Sequence, residues 1–177
     1  MSKMDPKHPP WNMAWVFLLW TRIGAAVWQG QALEDTLAKF IFHAFDRNKD
    51  DARELAIDAL AENRKLTLGA LLNKLRQFAK VPEGLDKDLR EYKDERNWLV
   101  HHSYGEFVSI AHDVSKLNDL GVRIFSADLA AYRLICVFWD AVQAMAVEDD
   151  SGAPIPTPTA QQIRAAWLRE TPTQSSE

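Results

Sequence analysis

The sequence predicts a single all-α domain, and three observations carry that prediction. Apolar residues recur at intervals of three and four over most of the 177 residues, strict apolar-polar alternation is nearly missing, and glycine is scarce at 7. The chain is long enough for one sizeable core. Its 47% hydrophobic and 26% charged residues are an ordinary globular composition.

Residues 1–10 hold three prolines and several charges, and read as a mobile arm. The helical domain spans 11–148. Helix is expected from near Trp11, with Trp15, Leu18, Leu19, Arg22, Ala25 and Ala26 on one face. Leu33, Leu37, Phe40, Ile41 and Ala44 resume that face beyond the weak point at Gly30. This predicts one long helix bent at Gly30, or two in tandem. The turn Asp46-Arg47-Asn48-Lys49-Asp50 ends it, and Asp51 with Glu54 forms a capping box for a short helix to about Asn63. Thr67 caps a third helix with the stripe Leu68, Leu71, Leu72, Leu75 and Phe78, stopped by Val81-Pro82. Pro82 suits the first turn of a fourth helix, where a missing N–H costs nothing. A less regular stretch with Gly105 and Gly121 follows His102. Ser126 then caps a last long helix through Leu134, Ile135, Phe138, Ala141, Val142 and Met145. Pro154, Pro156 and Pro158 make 149–159 an extended linker, and 160–177 a short helix through Ile163, Ala166 and Trp167 with a polar tail.

Composition narrows the function. A formal net charge of -4 gives no general attraction for nucleic acid, so any RNA contact has to be local. The single cysteine, Cys136, allows no intrachain disulfide, which fits a reducing, cytoplasmic setting; its apolar neighbours place it in the core. Met13 to Trp28 has the look of a membrane span or signal segment. Thr21 and Arg22 interrupt it, and the apolar run from Met13 to Trp20 falls far short of the ~20 residues a span needs, so no membrane association is expected.

The fourth helix carries the chemistry. Leu85, Leu89, Tyr92, Arg96 and Leu99 share one face, which sets Arg96 in an apolar stripe. A guanidinium keeps its proton, so a buried one needs an anionic partner; either Glu34, Asp35 or another carboxylate of the chain supplies it, or a bound phosphate does. Asn97 and His101, four apart, face the same side, so the amide can orient the imidazole. Arg96 and His101 diverge by roughly 140°, so their heads cannot touch but can flank one groove.

The segment Glu95-Arg96-Asn97-Trp98-Leu99-Val100-His101, late in a helix of a small helical domain, resembles the R-x4-H motif of the HEPN superfamily, in which a polar residue, often Asn, follows the Arg. The resemblance implies an up-down bundle of four to five main helices over about 11–148. It also implies a homodimer and a metal-independent endoribonuclease of toxin-antitoxin or phage-defence biology, with RNA as substrate and an antitoxin or other protein as partner. Carried over, Arg96 would bind the scissile phosphate, Asn97 would support the site, and His101 would position or deprotonate the ribose 2′-hydroxyl. These types suit the work: a neutral imidazole accepts a proton near pH 7, and a guanidinium stabilises charge on phosphate oxygens. The tyrosine that many antitoxin-paired relatives carry two residues after the histidine is displaced here, Tyr104 being three after His101 and two after His102. The same resemblance has a second branch, the mannitol-repressor-like proteins, whose RN-x3-H segment has no established nuclease chemistry. It implies an interaction or regulatory module with a structural Arg-Asn-His network.

His102 is either an accessory catalytic group or a solvated helix end. His43 and His112 read as surface or core-edge residues, and no Cys/His or carboxylate set has zinc-site spacing, so neither metal nor cofactor is expected. Most of the seven tryptophans fall at core spacing. Trp98 lies off the Leu89-Arg96-Leu99 face and is free to stack a base or seal an interface. The charges from Asp86 to Glu95 read as a solvated face of alternating sign.

Overall fold

The computed structural model describes residues 13–46, 53–78, 80–147 and Ala165. The arm before Met13, Asp51 of the expected capping box, the linker 149–159 and the tail lie outside them, apart from Ala165.

Six α-helices are found among the described residues: α1 (Met13–Ile41), α2 (Arg53–Arg64), α3 (Leu68–Phe78), α4 (Glu83–His101), α5 (Ser103–Ile110) and α6 (Val114–Val147), with a π-helical turn at Phe42–Asp46 after α1. The two long helices, α1 and α6, pair along their length and run in the same direction, since Arg22 lies over Phe125 and Phe40 packs on Phe138. α4 runs the other way. Its early residues Leu85 and Leu89 join the core of Leu33, Phe40 and Phe138, while Leu99 joins a second cluster with Leu19, Ala26 and Ile124. Burying these leucines and phenylalanines stabilises the fold by about 1.5–3 kcal/mol each. No helix is long and apolar enough to cross a membrane among the described residues.

Several elements depart from their sequence reading. At Gly30 the single long helix is the one found of the two arrangements expected: α1 runs through the glycine, whose missing side chain makes room for Tyr92. The inward face of the first half of α1 is Leu19 and Ala26, and Leu18, Arg22 and Ala25 point to solvent. That half packs against α4, α5 and α6 through Leu99, Phe107, Leu120 and Ile124, and a one-residue change in heading decides which of its apolar residues are buried. Pro82 is the N-cap of α4 rather than part of its first turn. The stretch after His102 is helical: α5 follows directly, and α6 begins at Val114, twelve residues before Ser126, which sits exposed in mid-helix. Asp113 is the cap, its carboxylate accepting the Lys116 N–H at 3.2 Å, and Leu120, Ile124 and Ala127 supply burial enough to carry helix through Gly121.

Thr67 caps α3 as expected, accepting the Ala70 N–H at 3.4 Å. The charged run on α4 forms solvated ion pairs, Asp86 meeting both Arg76 and Arg90. Asp35 of α1 joins Lys39 and, across helices, Arg64 of α2 at 2.7 Å. Partial burial raises its pKa, but these two cations outweigh that and hold it below the usual aspartate value.

Candidate functional site

α4 presents Glu95, Arg96 and Asn97 in succession, and at ~100° per residue the three head in different directions. Arg96 turns toward α1, where its Nη2 meets Glu34 Oε1 at 3.1 Å. The same oxygen accepts the backbone N–H of Leu68, the first residue of α3, at 3.1 Å. One carboxylate thus ties α1, α3 and α4, and offsets both a cation and an amide left open at a helix start. The pair is enclosed without being sealed, the two side chains being 26% and 20% exposed.

One turn earlier, Tyr92 is buried, and its hydroxyl lies against Gly30. A Cβ at position 30 would stand 2.7 Å from that oxygen and 3.5 Å from Arg96 Cγ, so the glycine is a packing requirement of α4 against α1. Burial pushes the Tyr92 pKa up to about 12; the positive charge of Arg96 opposes the rise, and the negative charges of Glu34 and Asp128 add to it. Asp128, on α6, has a buried Oδ1 without a hydrogen-bond partner.

Glu95 turns toward α6. It accepts two hydrogen bonds from Arg123, at 2.9 and 3.0 Å. The Arg123 guanidinium lies 3.5 Å over the Trp98 ring, and Trp98 Nε1–H donates to Glu106 of α5 at 2.9 Å. Hydrogen bonding to Glu95 raises the Arg123 pKa still further. Trp98, read from sequence as open for a base or an interface, is therefore engaged inside the chain.

The remaining candidates stand outside. Asn97, His101, His102 and Tyr104 are all exposed. His101 and His102 meet edge to face with centroids 6.4 Å apart at the junction of α4 and α5, and Tyr104 rests on Trp20 at 5.6 Å. The structure brings Arg96 together with Glu34 and Tyr92, and among the described residues it forms no contact between Arg96 and either Asn97 or His101. An open concavity of about 240 Å³ lies between α5 and α6, lined by Glu106, Lys116, Asp119 and Arg123, and includes none of the R-x4-H residues.

His43 is half-buried against Phe42 and His112 is exposed, as the sequence implied. Cys136 is a correction: it is half-exposed on the outer side of α6 and not in the core. So are Trp20, Trp28 and Trp139, which are 45%, 71% and 46% exposed where their helical spacing had suggested packing. Spacing marks a face, but not whether anything covers it.

Sequence reasoning named Glu34 among the partners open to Arg96, and missed the contributions of Tyr92, Asp128 and Arg123. Gly30, one turn from Glu34, was the available signal. No family model, curated protein or solved structure matches the chain.

Proposed function

We propose that the protein is a non-catalytic helical interaction module, HEPN-like in plan and of the mannitol-repressor-like kind, in which Arg96 locks helices together. The observation that carries this reading is the Glu34 carboxylate on the Arg96 guanidinium. For Arg96 to turn to a phosphodiester it must give up pairing with Glu34, whose carboxylate then keeps only the Leu68 N–H, at a cost of about 2 kcal/mol before any substrate is held. The wide exposure of apolar side chains on α1 and α6 supports docking as the chain's business. The test is incubation of the purified protein and its Arg96→Ala and His101→Ala variants with total RNA and a chelator. No cleavage above background by any of the three is the expected result, and cleavage by the parent that His101→Ala abolishes would refute the reading.

A second reading, the endoribonuclease, is favoured by one observation: Asn97, His101 and His102 all face solvent at the end of α4, beside an arginine still a quarter exposed. On that reading His101 takes the 2′-hydroxyl proton and Arg96 exchanges Glu34 for the phosphate, within a homodimer held in check by an antitoxin. The same assay decides between the two.

A further inference from the structure

α6 is apolar on two sides. Its inner seam, Leu120, Ile124, Ala127, Ala131, Leu134 and Phe138, is buried throughout. A second seam, Val122, Phe125, Leu129, Tyr132, Cys136 and Trp139, repeats the same alternation of three and four on the outer side, where Arg22 of α1 reaches over the Phe125 ring. Apart from half-exposed Cys136, its members are 65%, 51%, 37%, 54% and 46% exposed in order. Exposed Asn118 and Gln143 stand four residues before and after it, so the seam has polar ends. A solvated face needs no heptad; a 3.5-residue repeat is what a helix needs to lie along another helix.

We propose that a second copy of this chain covers the outer seam, the two α6 helices crossing antiparallel about a two-fold axis between Ala130 and Ala131. In that register Val122 faces Trp139, Phe125 faces Cys136 and Leu129 faces Tyr132, a small residue against a large one in each layer, with Asn118 against Gln143 at both ends. A parallel pairing sets Phe125, Tyr132 and Trp139 against their own copies and leaves Val122 and Cys136 to face gaps, which close packing disfavours.

The area fits a pair. With full exposures of about 150–250 Å² for aromatic side chains and somewhat less for aliphatic ones, the seam and exposed Leu18, one turn before the Arg22 that reaches over Phe125, offer on the order of 550 Å² of apolar surface. Homodimer interfaces are about 65% apolar, so this corresponds to roughly 850 Å² per copy, the size of a standard stable interface.

The pairing rests on the non-catalytic reading. Arg123, which meets α4, lies about 200° around α6 from Phe125. Association through the outer seam therefore leaves the two α4 helices on the far sides of the dimer, where no groove gathers both Arg96 and His101 pairs.

The experiment measures the mass of the full chain by sedimentation equilibrium at about 10–100 μM, a range in which a standard interface associates. Twice the 20.2 kDa chain mass is expected. Leu129→Glu, at a position already partly solvated, should weaken association ~100-fold or more with unchanged helical circular dichroism. Under oxidation, Phe125→Cys should cross-link to Cys136 of the second copy, and the parent should not cross-link through Cys136 alone. A monomer at all concentrations, or ready parental cross-linking, overturns the antiparallel pair and leaves the non-catalytic reading standing. A doubled mass indifferent to Leu129→Glu, with cross-linking through Asn97→Cys, overturns both.

Discussion

Two arginine-carboxylate pairs flank α4, and the same chemistry does different work in each. Arg96 meets Glu34 where only about a quarter of either side chain reaches water, and Glu34 serves the first N–H of α3 as well. Arg123 meets Glu95 with better geometry, two short hydrogen bonds, but both side chains are about 40% exposed. Geometry alone ranks the second pair higher. Environment reverses the order: solvent replaces what Arg123 gives Glu95, whereas nothing in the interior replaces what Arg96 gives Glu34.

The sharpest break of this comparison is Arg96→Ala, expected to destabilise the fold by about 2–3 kcal/mol in denaturant titration. Adding Glu34→Ala should return part of the loss, with a coupling of about 1 kcal/mol or more; strict additivity would show that the two side chains do not act as a pair. Next in size is Gly30→Ala. Alanine ordinarily favours a helix interior by up to ~1 kcal/mol, but the new methyl must displace a buried ring, so a net loss of about 1 kcal/mol is expected. A gain in stability would show that Tyr92 does not press on α1.

Tyr92 supplies a pH test of the same enclosure. Its folded pKa of about 12 exceeds the ordinary value of 10.0, so the folded state holds the proton longer than the unfolded one. Stability from this group is complete below pH 10 and is lost as pH rises toward 12, with a slope of at most ~1.4 kcal/mol per pH unit. Tyr92→Phe should flatten that part of the stability profile, and an unchanged slope would place the tyrosine in water. Arg123→Ala is expected to cost about 1 kcal/mol or less, with a change in tryptophan fluorescence as Trp98 loses its cation. Smallest are Asn97→Ala and His101→Ala, each within about 0.5 kcal/mol of the parent in thermal melts, because exposed side chains at a helix end contribute little.

The α4 stripe was legible because Leu85, Leu89, Tyr92 and Leu99 recur at helical spacing, and Arg96 announced itself as a cation among them. The need for an acidic partner followed from the permanent charge. That Glu34 supplies it, and reaches α3 at the same time, did not follow, since several carboxylates were within the chain's means. The stretch from Ser103 to Phe125 was misread for the opposite reason. Two glycines weaken local helix propensity there, and the burial that overrides them comes from α1 and α4, which are distant in sequence.

By itself the sequence determined what depends on neighbours along the chain: the all-helical class, the cap at Thr67, the apolar faces of α3 and α4, and the demand of one arginine for negative charge. Tertiary structure alone decided what depends on which faces meet: that Arg96 is answered from within, that Trp98 is covered by Arg123, and that the outer seam of α6 is left in water. Periodicity writes a helix face into the sequence, but the partner of that face is chosen by packing, which adds contacts between residues the chain holds far apart.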